Sequence, residues 1–182
     1  MMTAGGGLLL TGFFATNFVF VVDGGERALK MDALRGLQPH VYGEGMHFRI
    51  PVLHKITRFE IRARPTLVPS STGTKDLQQV EIALRILFRP KEEKLAEIFN
   101  NTGADYDKRI LPSISNEVLK SVVAQYNAEQ LISMREKVSK EIRSNLEKRA
   151  LEFNIILDDV SITDLQFSHD FANAIEMKQV AQ

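Results

Sequence analysis

The length and charge balance of the chain limit the classes of protein to which it can belong. Its 182 residues suffice for one domain with a short extension, because domains usually contain roughly 100–200 residues. Lysine and arginine together number 23, as do aspartate and glutamate, so the chain has no net positive charge with which to hold nucleic acid. Cysteine is absent, which excludes disulfides, thiolate catalysis and sulfur-ligated zinc.

The amino-terminal stretch is apolar, and the first charged side chain is Asp23. As a helix rising about 1.5 Å per residue, residues 4–22 would extend about 28 Å, close to the ~30 Å hydrocarbon core of a bilayer. We predict a membrane anchor over residues 1–22. The alternatives are a buried first strand and a cleaved signal peptide, although a signal peptide usually begins with basic residues. The residues assigned to the membrane are Leu8, Leu9, Leu10, Phe13, Phe14, Phe18, Val19 and Phe20.

Short strands are predicted after the apolar stretch. Residues 27–31 and 46–50 have strand character, and between them lie glycines and Pro39, which indicate turns. Residues 56–64 alternate apolar and charged side chains, as expected of a strand with one face in water.

The clearest strand is predicted at residues 79–89, where apolar side chains recur at every second position. Pro65 and Pro69 predict a connection before it. The charged faces of strands 56–64 and 79–89 form either a protein-contact face or a solvated sheet surface. The candidate protein interface consists of Arg58, Glu60, Arg62, Arg64, Glu81, Arg85 and Arg89.

Helical patterns dominate the region after residue 90. Residues 91–101 predict a short amphipathic helix that ends at Gly103. Residues 105–126 predict a longer helix, interrupted near Pro112 because proline lacks the N–H that continues the hydrogen-bond ladder.

A third helix, a late strand and a final helix complete the predicted order. The third helix follows a capping pair, Asn127 and Gln130, and carries an apolar stripe to Phe153. Residues 155–167 return to strand character, with a bulge near residues 163–164. From residue 170 a helix begins, and its pattern runs to the end of the sequence without a stop signal.

The sequence predicts no catalytic residues, no metal ligands and no cofactor. His40, His47 and His54 are seven residues apart, but the intervening glycines and Pro51 oppose the helix that would align them. Asp158 and Asp159 are neighbours on a predicted strand, so their carboxylates point to opposite faces. An enzyme is therefore the least favoured class.

Several segments after Val22 are specific enough to indicate a family. They are residues 43–51 (GEGMHFRIP), 62–65 (RARP), 72–78 (TGTKDLQ), 84–90 (LRILFRP), 105–114 (DYDKRILPSI), 117–124 (EVLKSVVA), 156–160 (ILDDV) and 178–182 (KQVAQ). Together they resemble the prohibitins of the stomatin/prohibitin/flotillin band-7 superfamily. Residues 86–90 and 159–161 resemble the first prohibitin type and residues 47–51 the second; we favour the first.

The resemblance implies an α+β fold in three parts. A membrane anchor, residues 1–22, precedes a band-7 (SPFH-like) domain, residues 23–167, in which an antiparallel-rich sheet is packed by helices. Residues 168–182 begin a long carboxy-terminal helix or coiled coil, most of which is expected beyond Gln182. Family members usually carry basic residues ahead of the anchor, whereas this chain has none before Arg27.

The resemblance also implies a non-enzymatic function. Prohibitins are scaffold and chaperone subunits of the mitochondrial inner membrane, with the band-7 domain facing the intermembrane space. The expected partners are a second prohibitin subunit in a hetero-oligomeric ring, membrane lipid, inner-membrane proteins and an inner-membrane AAA protease that the ring modulates. No nucleic acid is expected. The alternative is a soluble adaptor that binds proteins through its arginine-rich sheet face, with residues 8–22 folded into the core.

Overall fold

The computed structural model of the chain describes residues 18–167, whose contacts divide into two compact units. Unit 1 contains residues 18–62 and 90–104, and unit 2 contains residues 63–89 and 105–167. The predicted carboxy-terminal helix, residues 168–182, and most of the predicted anchor lie outside the described residues. The predicted band-7 region thus contains two units, each with buried side chains of its own.

Unit 1 forms two small antiparallel sheets from its described residues. Strand β1 (Val19–Val22) pairs with β4 (Gly45–Phe48) in a two-stranded sheet. Strand β2 (Glu26–Asp32) lies between β3 (Gly36–Tyr42) and β5 (His54–Glu60) in a three-stranded sheet. The alternation predicted for residues 56–64 therefore belongs to β5 only as far as Glu60.

Strand β3 contradicts the predicted turn between β2 and β4. Pro39 lies inside this strand, which forms an edge of its sheet. An edge strand has backbone groups that need no partner, so the missing N–H of a proline is tolerated there.

The predicted anchor reached Val22, but the structure places its last four residues in strand β1. Phe20 and Val22 are buried against Ala28 of β2, with Tyr42 and Ile56 packed around them. Residues 19–22 thus form a strand with one buried face, as in the alternative to an anchor.

The helix of unit 1 confirms its prediction. A 3₁₀ turn (Glu92–Lys94) leads into α1 (Leu95–Thr102), which ends at Gly103 with φ +94°. The N–H of Gly103 donates to the Phe99 carbonyl, and the ring of Phe99 meets Phe59 of β5 edge to face at 5.9 Å.

Unit 2 contains a three-stranded sheet in the order β6-β7-β8. Strand β6 (Arg64–Gly73) is antiparallel to the central strand β7 (Gln79–Pro90), and β8 (Ile155–Phe167) forms the other edge. The predicted connection over residues 65–73 is wrong, because Pro65 and Pro69 are tolerated in an edge strand. The burial of β7 confirms its predicted period of two, with Val80, Ile82, Leu84, Ile86 and Phe88 buried.

Three helices complete unit 2 beside this sheet. They are α2 (Tyr106–Val123), α3 (Ala128–Ser133) and α4 (Arg135–Glu152). Helix α2 packs against β6 and α4, and α4 packs against β8. The fold of the described residues is therefore α+β, with antiparallel strand pairs packed by helices.

Two details of these helices differ from the prediction. Helix α2 continues through Pro112 without the predicted interruption. The single helix predicted beyond Asn127 is two, separated at Met134, whose backbone has φ −110° and ψ 27°. The predicted cap is present, since the Asn127 N–H donates to the Gln130 side chain at 3.0 Å.

Within residues 18–167, none of the helices combines the length and apolar composition that crossing a bilayer requires.

Candidate functional site

The seven residues of the predicted interface fall into two groups. Arg58, Glu60 and Arg62 belong to unit 1, on or just after β5. The other four, Arg64, Glu81, Arg85 and Arg89, belong to β6 and β7 of unit 2. Each group is therefore a separate candidate surface.

The arginines of unit 1 bind backbone carbonyls near β1. Arg58 Nη2 donates to the Val21 carbonyl at 3.0 Å, and Arg62 Nη2 donates to the Gly24 carbonyl at 2.6 Å. Gly25 has φ +88°, and a Cβ built there would collide with the Arg62 guanidinium. These two guanidinium groups thus hold β1 and the β1–β2 turn against β5.

Arg64 does not share a sheet face with Arg85. In the antiparallel register Arg64 lies opposite Phe88, and directly opposite residues share a face, so Arg64 is on the helix-covered side. Its guanidinium lies 5.0 Å from the centre of the Phe88 ring and pairs with Asp107 of α2 at 3.0 Å. Both contacts indicate that Arg64 joins β6 to α2.

The face of β6 and β7 that points away from the helices is open. It combines charged side chains of β7 with apolar side chains of β6, because the register puts Leu67 opposite Arg85 and Ser71 opposite Glu81. Leu67 is 61% exposed, although it lies within a strand. We call this surface the outer sheet face; it consists of Pro65, Leu67, Pro69, Ser71, Glu81, Ala83, Arg85, Leu87 and Arg89.

Sequence reasoning missed the β6 half of the outer sheet face. The prolines concealed the strand, and its alternation gives no clear signal, because Val68 shares a phase with Thr66 and Ser70 whereas Leu67 shares the other with Pro65 and Pro69. An apolar centre with charged residues around it is typical of protein interfaces. The outer sheet face is therefore the candidate interface in unit 2.

One ion pair links Arg89 of this face to β8, and a second links β8 to α4. Arg89 Nε donates to Asp158 at 3.1 Å, and Arg143 Nη1 donates to Asp159 at 3.0 Å. Each of the adjacent carboxylates thus has its own arginine, which suits a structural role for both. Thr163 Oγ1 of β8 also donates to the Ala83 carbonyl of β7 at 3.0 Å.

The three histidines have separate partners in unit 1. His47 Nε2 lies 2.8 Å from the Gly43 carbonyl, and the ring of His40 meets Tyr42 edge to face at 4.8 Å. His54 Nδ1 accepts from the Ile50 N–H, and its Nε2 is 3.8 Å from Asp32. Over residues 18–167 the structure contains no group of three or more histidine, aspartate or glutamate residues that could hold a metal ion.

The β6–β7 hairpin is docked onto the start of α3 by Asp76. Its carboxylate accepts from the Thr74 hydroxyl at 2.5 Å and from the Ala128 N–H at 3.1 Å. The Thr74 hydrogen bond is the main cause that lowers the pKa of Asp76, and the Ala128 N–H adds to it. The Lys75 N–H donates to the Tyr126 carbonyl, which closes the same junction.

Comparison with known proteins identifies the fold family. The model of the SPFH domain / Band 7 family matches residues 20–182. Prohibitin-2 of Schizosaccharomyces pombe is 52% identical over 98% of this chain and 63% of its own length. Prohibitin 1 of Gallus gallus is 51% identical over 97% of this chain and 65% of its own length. The Caenorhabditis elegans protein named mitochondrial prohibitin complex protein 1 is 49% identical over 99% of this chain and 66% of its own length.

The chain spans less than two thirds of the length of these relatives. Relatives of both prohibitin types match with similar identity, so identity alone does not separate the types. The chain belongs to the SPFH domain / Band 7 family, and it is similar to prohibitins over nearly its whole length.

Proposed function

We propose that this chain is a scaffold subunit that associates side by side with a second prohibitin-type subunit in a membrane-bound ring. The observation that carries the proposal is its 49% identity, over 99% of the chain, to a relative named as a mitochondrial prohibitin complex protein. Residues 86–90 and 159–161 favour the first prohibitin type for this subunit.

The membrane contact is assigned to the residues before β1. Residues 1–17 carry no charge and include Leu8, Leu9, Leu10, Phe13 and Phe14. In this proposal they enter the mitochondrial inner membrane and leave the band-7 region in the intermembrane space. There the ring organises inner-membrane proteins and modulates an AAA protease of the same membrane.

The contact with a neighbouring subunit is assigned to the outer sheet face. Arg85 and Glu81 offer both signs of charge, and Leu67 supplies an exposed apolar side chain between the prolines of β6. Arg58 and Arg62 already bind backbone carbonyls of their own unit, so they contribute less to this contact. No bond-making chemistry is assigned to the chain.

The native mass of the complex tests this function. The chain is expressed with a prohibitin of the other type in mitochondria, extracted in a mild detergent and analysed by native electrophoresis and light scattering. The proposal predicts one large species that contains both subunits. A monomeric chain under these conditions would contradict it.

A soluble adaptor is the second candidate, and strand β1 favours it. The last residues of the apolar stretch, Val19–Val22, form part of a folded sheet and bury Phe20. Alkaline carbonate extraction separates the two candidates. An adaptor is released into the supernatant, whereas a tethered scaffold stays with the membrane pellet.

A further inference from the structure

Strands β1 and β4 form a two-stranded antiparallel ribbon with one face in the core of unit 1. Phe20 and Val22 point into that core, where they contact Ala28, Tyr42 and Ile56. In an antiparallel sheet with one buried face, the other face usually carries polar side chains. The second face of this ribbon carries apolar side chains instead.

The outer face of the ribbon is apolar and exposed. The register puts Val19 opposite Phe48 and Val21 opposite Met46, so these four side chains share one face. Phe48 is 79% exposed and Met46 is 72% exposed. Exposed apolar groups that lie together mark contacts with a protein or a membrane. We call these four residues the ribbon face.

The loop after β4 extends the exposed apolar surface along the chain. Ile50 is exposed, and Val52 is 99% exposed. Val52 also has φ +75°, in the left-handed region that branched side chains rarely adopt. Backbone strain of this kind is concentrated at functional sites such as ligand clamps and switch regions.

The position of the ribbon in the chain favours lipid as its neighbour. Strand β1 begins at Val19, two residues beyond the end of the uncharged residues 1–17, and no charged side chain precedes Asp23. An extended chain rises about 3.3 Å per residue, so Val19 and Val21 can lie no farther than roughly 7 Å and 13 Å from the end of the proposed tether at residue 17. Apolar elements at a bilayer surface bury to a depth of ~5–10 Å, which this distance allows.

The composition of the ribbon face supports the same neighbour. Its four side chains are apolar, so entry into the boundary between headgroups and acyl chains leaves no charge without a partner. A second copy of the chain is a poorer fit, since stable protein interfaces involve about 20–30 residues on each side.

We infer that the ribbon face, with Ile50 and Val52, lies in the headgroup–acyl boundary of the bilayer and fixes the orientation of unit 1 at the membrane. This inference rests on the proposed membrane tether. It adds a second membrane contact, made by folded strands and not by the tether.

Because the chain contains no tryptophan, a single substituted tryptophan reports on its own site. Phe48→Trp and Met46→Trp place the probe on the ribbon face. Leu34→Trp is the matched control, since Leu34 is an exposed apolar residue in the β2–β3 turn of the same unit. Each full chain is reconstituted into phosphatidylcholine vesicles with or without lipid brominated on the acyl chains. Flotation then measures membrane binding, and circular dichroism checks folding.

The expected result is quenching by brominated lipid that is several-fold stronger at positions 46 and 48 than at position 34. Chains that float with the vesicles but show weak or equal quenching at all three positions would overturn the ribbon inference and leave the tether intact. A blue-shifted, unquenched signal that depends on protein concentration would assign the face to a second copy, and so overturn it as well. Chains that do not float would overturn the proposed tether together with the inference.

Discussion

The β1–β4 ribbon of unit 1 and the β6-β7-β8 sheet of unit 2 each bury one face, and they differ in the other. The ribbon face consists of Val19, Val21, Met46 and Phe48. The outer sheet face sets Leu67 among Glu81, Arg85 and Arg89. Acyl chains cannot pair with a charge, whereas a protein neighbour can. The composition of an open face therefore indicates which kind of neighbour it suits.

The largest expected effect is a loss of stability that distinguishes a buried phenylalanine from an exposed one. Phe88 in β7 is 1% exposed, so Phe88→Ala should lower the free energy of unfolding by about 3–5 kcal/mol. Phe48→Ala, on the ribbon face, should change it by no more than about 0.5 kcal/mol. Urea unfolding followed by circular dichroism measures both. A Phe48→Ala loss as large as that of Phe88→Ala would show that the ribbon face packs against the protein itself.

The next effect tests how the ribbon is held to its unit. Gly25→Ala puts a Cβ at φ +88° and against the Arg62 guanidinium, so it should cost about 1–3 kcal/mol. Gly43→Ala is the control, because a Cβ built at Gly43 meets no atom within 4 Å. Thermal unfolding compares the two. Equal melting temperatures for both variants would mean that Arg62 does not clamp the β1–β2 turn.

A smaller, pH-dependent effect is expected at the hairpin of unit 2. The pKa of Asp76 is lowered in the folded state, chiefly by the Thr74 hydroxyl, so its carboxylate stabilises the fold above its unfolded pKa of about 3.8. This contribution is lost as the pH falls through the lower folded pKa. The stability difference between wild type and Asp76→Asn should therefore be constant above pH 3.8 and shrink below it. A difference that grows on acidification would contradict this sign.

The smallest effect is expected on the outer sheet face itself. The Arg89–Asp158 pair is half exposed, and such pairs contribute about 0–1 kcal/mol, so Arg89→Gln should hardly change the unfolding free energy. Urea titration measures this change. A loss of several kcal/mol would mean that the face is part of the fold and not a free surface.

The sequence predicted strands with a clear period and missed strands that contain proline. Strands β7 and β8 are predicted because apolar residues alternate along β7 and, on either side of a bulge, along β8. Pro39 predicts a turn where β3 lies, and Pro65 and Pro69 predict a connection where β6 lies. Edge position makes these prolines harmless, and edge position follows from long-range pairing that local patterns do not contain.

Local patterns also fail to predict part of the candidate site, because it too depends on long-range strand pairing. Alternation correctly put Glu81, Arg85 and Arg89 on one face of β7. It could not assign Arg64, whose face depends on the break at residues 61–63 and on its register with Phe88. Predicted helix breaks failed for a related reason, since Pro112 lies within a helix that the surrounding packing maintains.

The most direct test of whether the outer sheet face mediates assembly is to compare the native masses of the complexes that two variants form. Leu67→Glu puts a charge at its apolar centre, and Ile132→Glu makes the same change at an exposed apolar residue of α3, away from that face. Each variant is expressed with a prohibitin of the other type and sized in mild detergent. If the outer sheet face mediates assembly, Leu67→Glu releases small species while Ile132→Glu retains the large complex. A large complex of wild-type mass in both variants would contradict it.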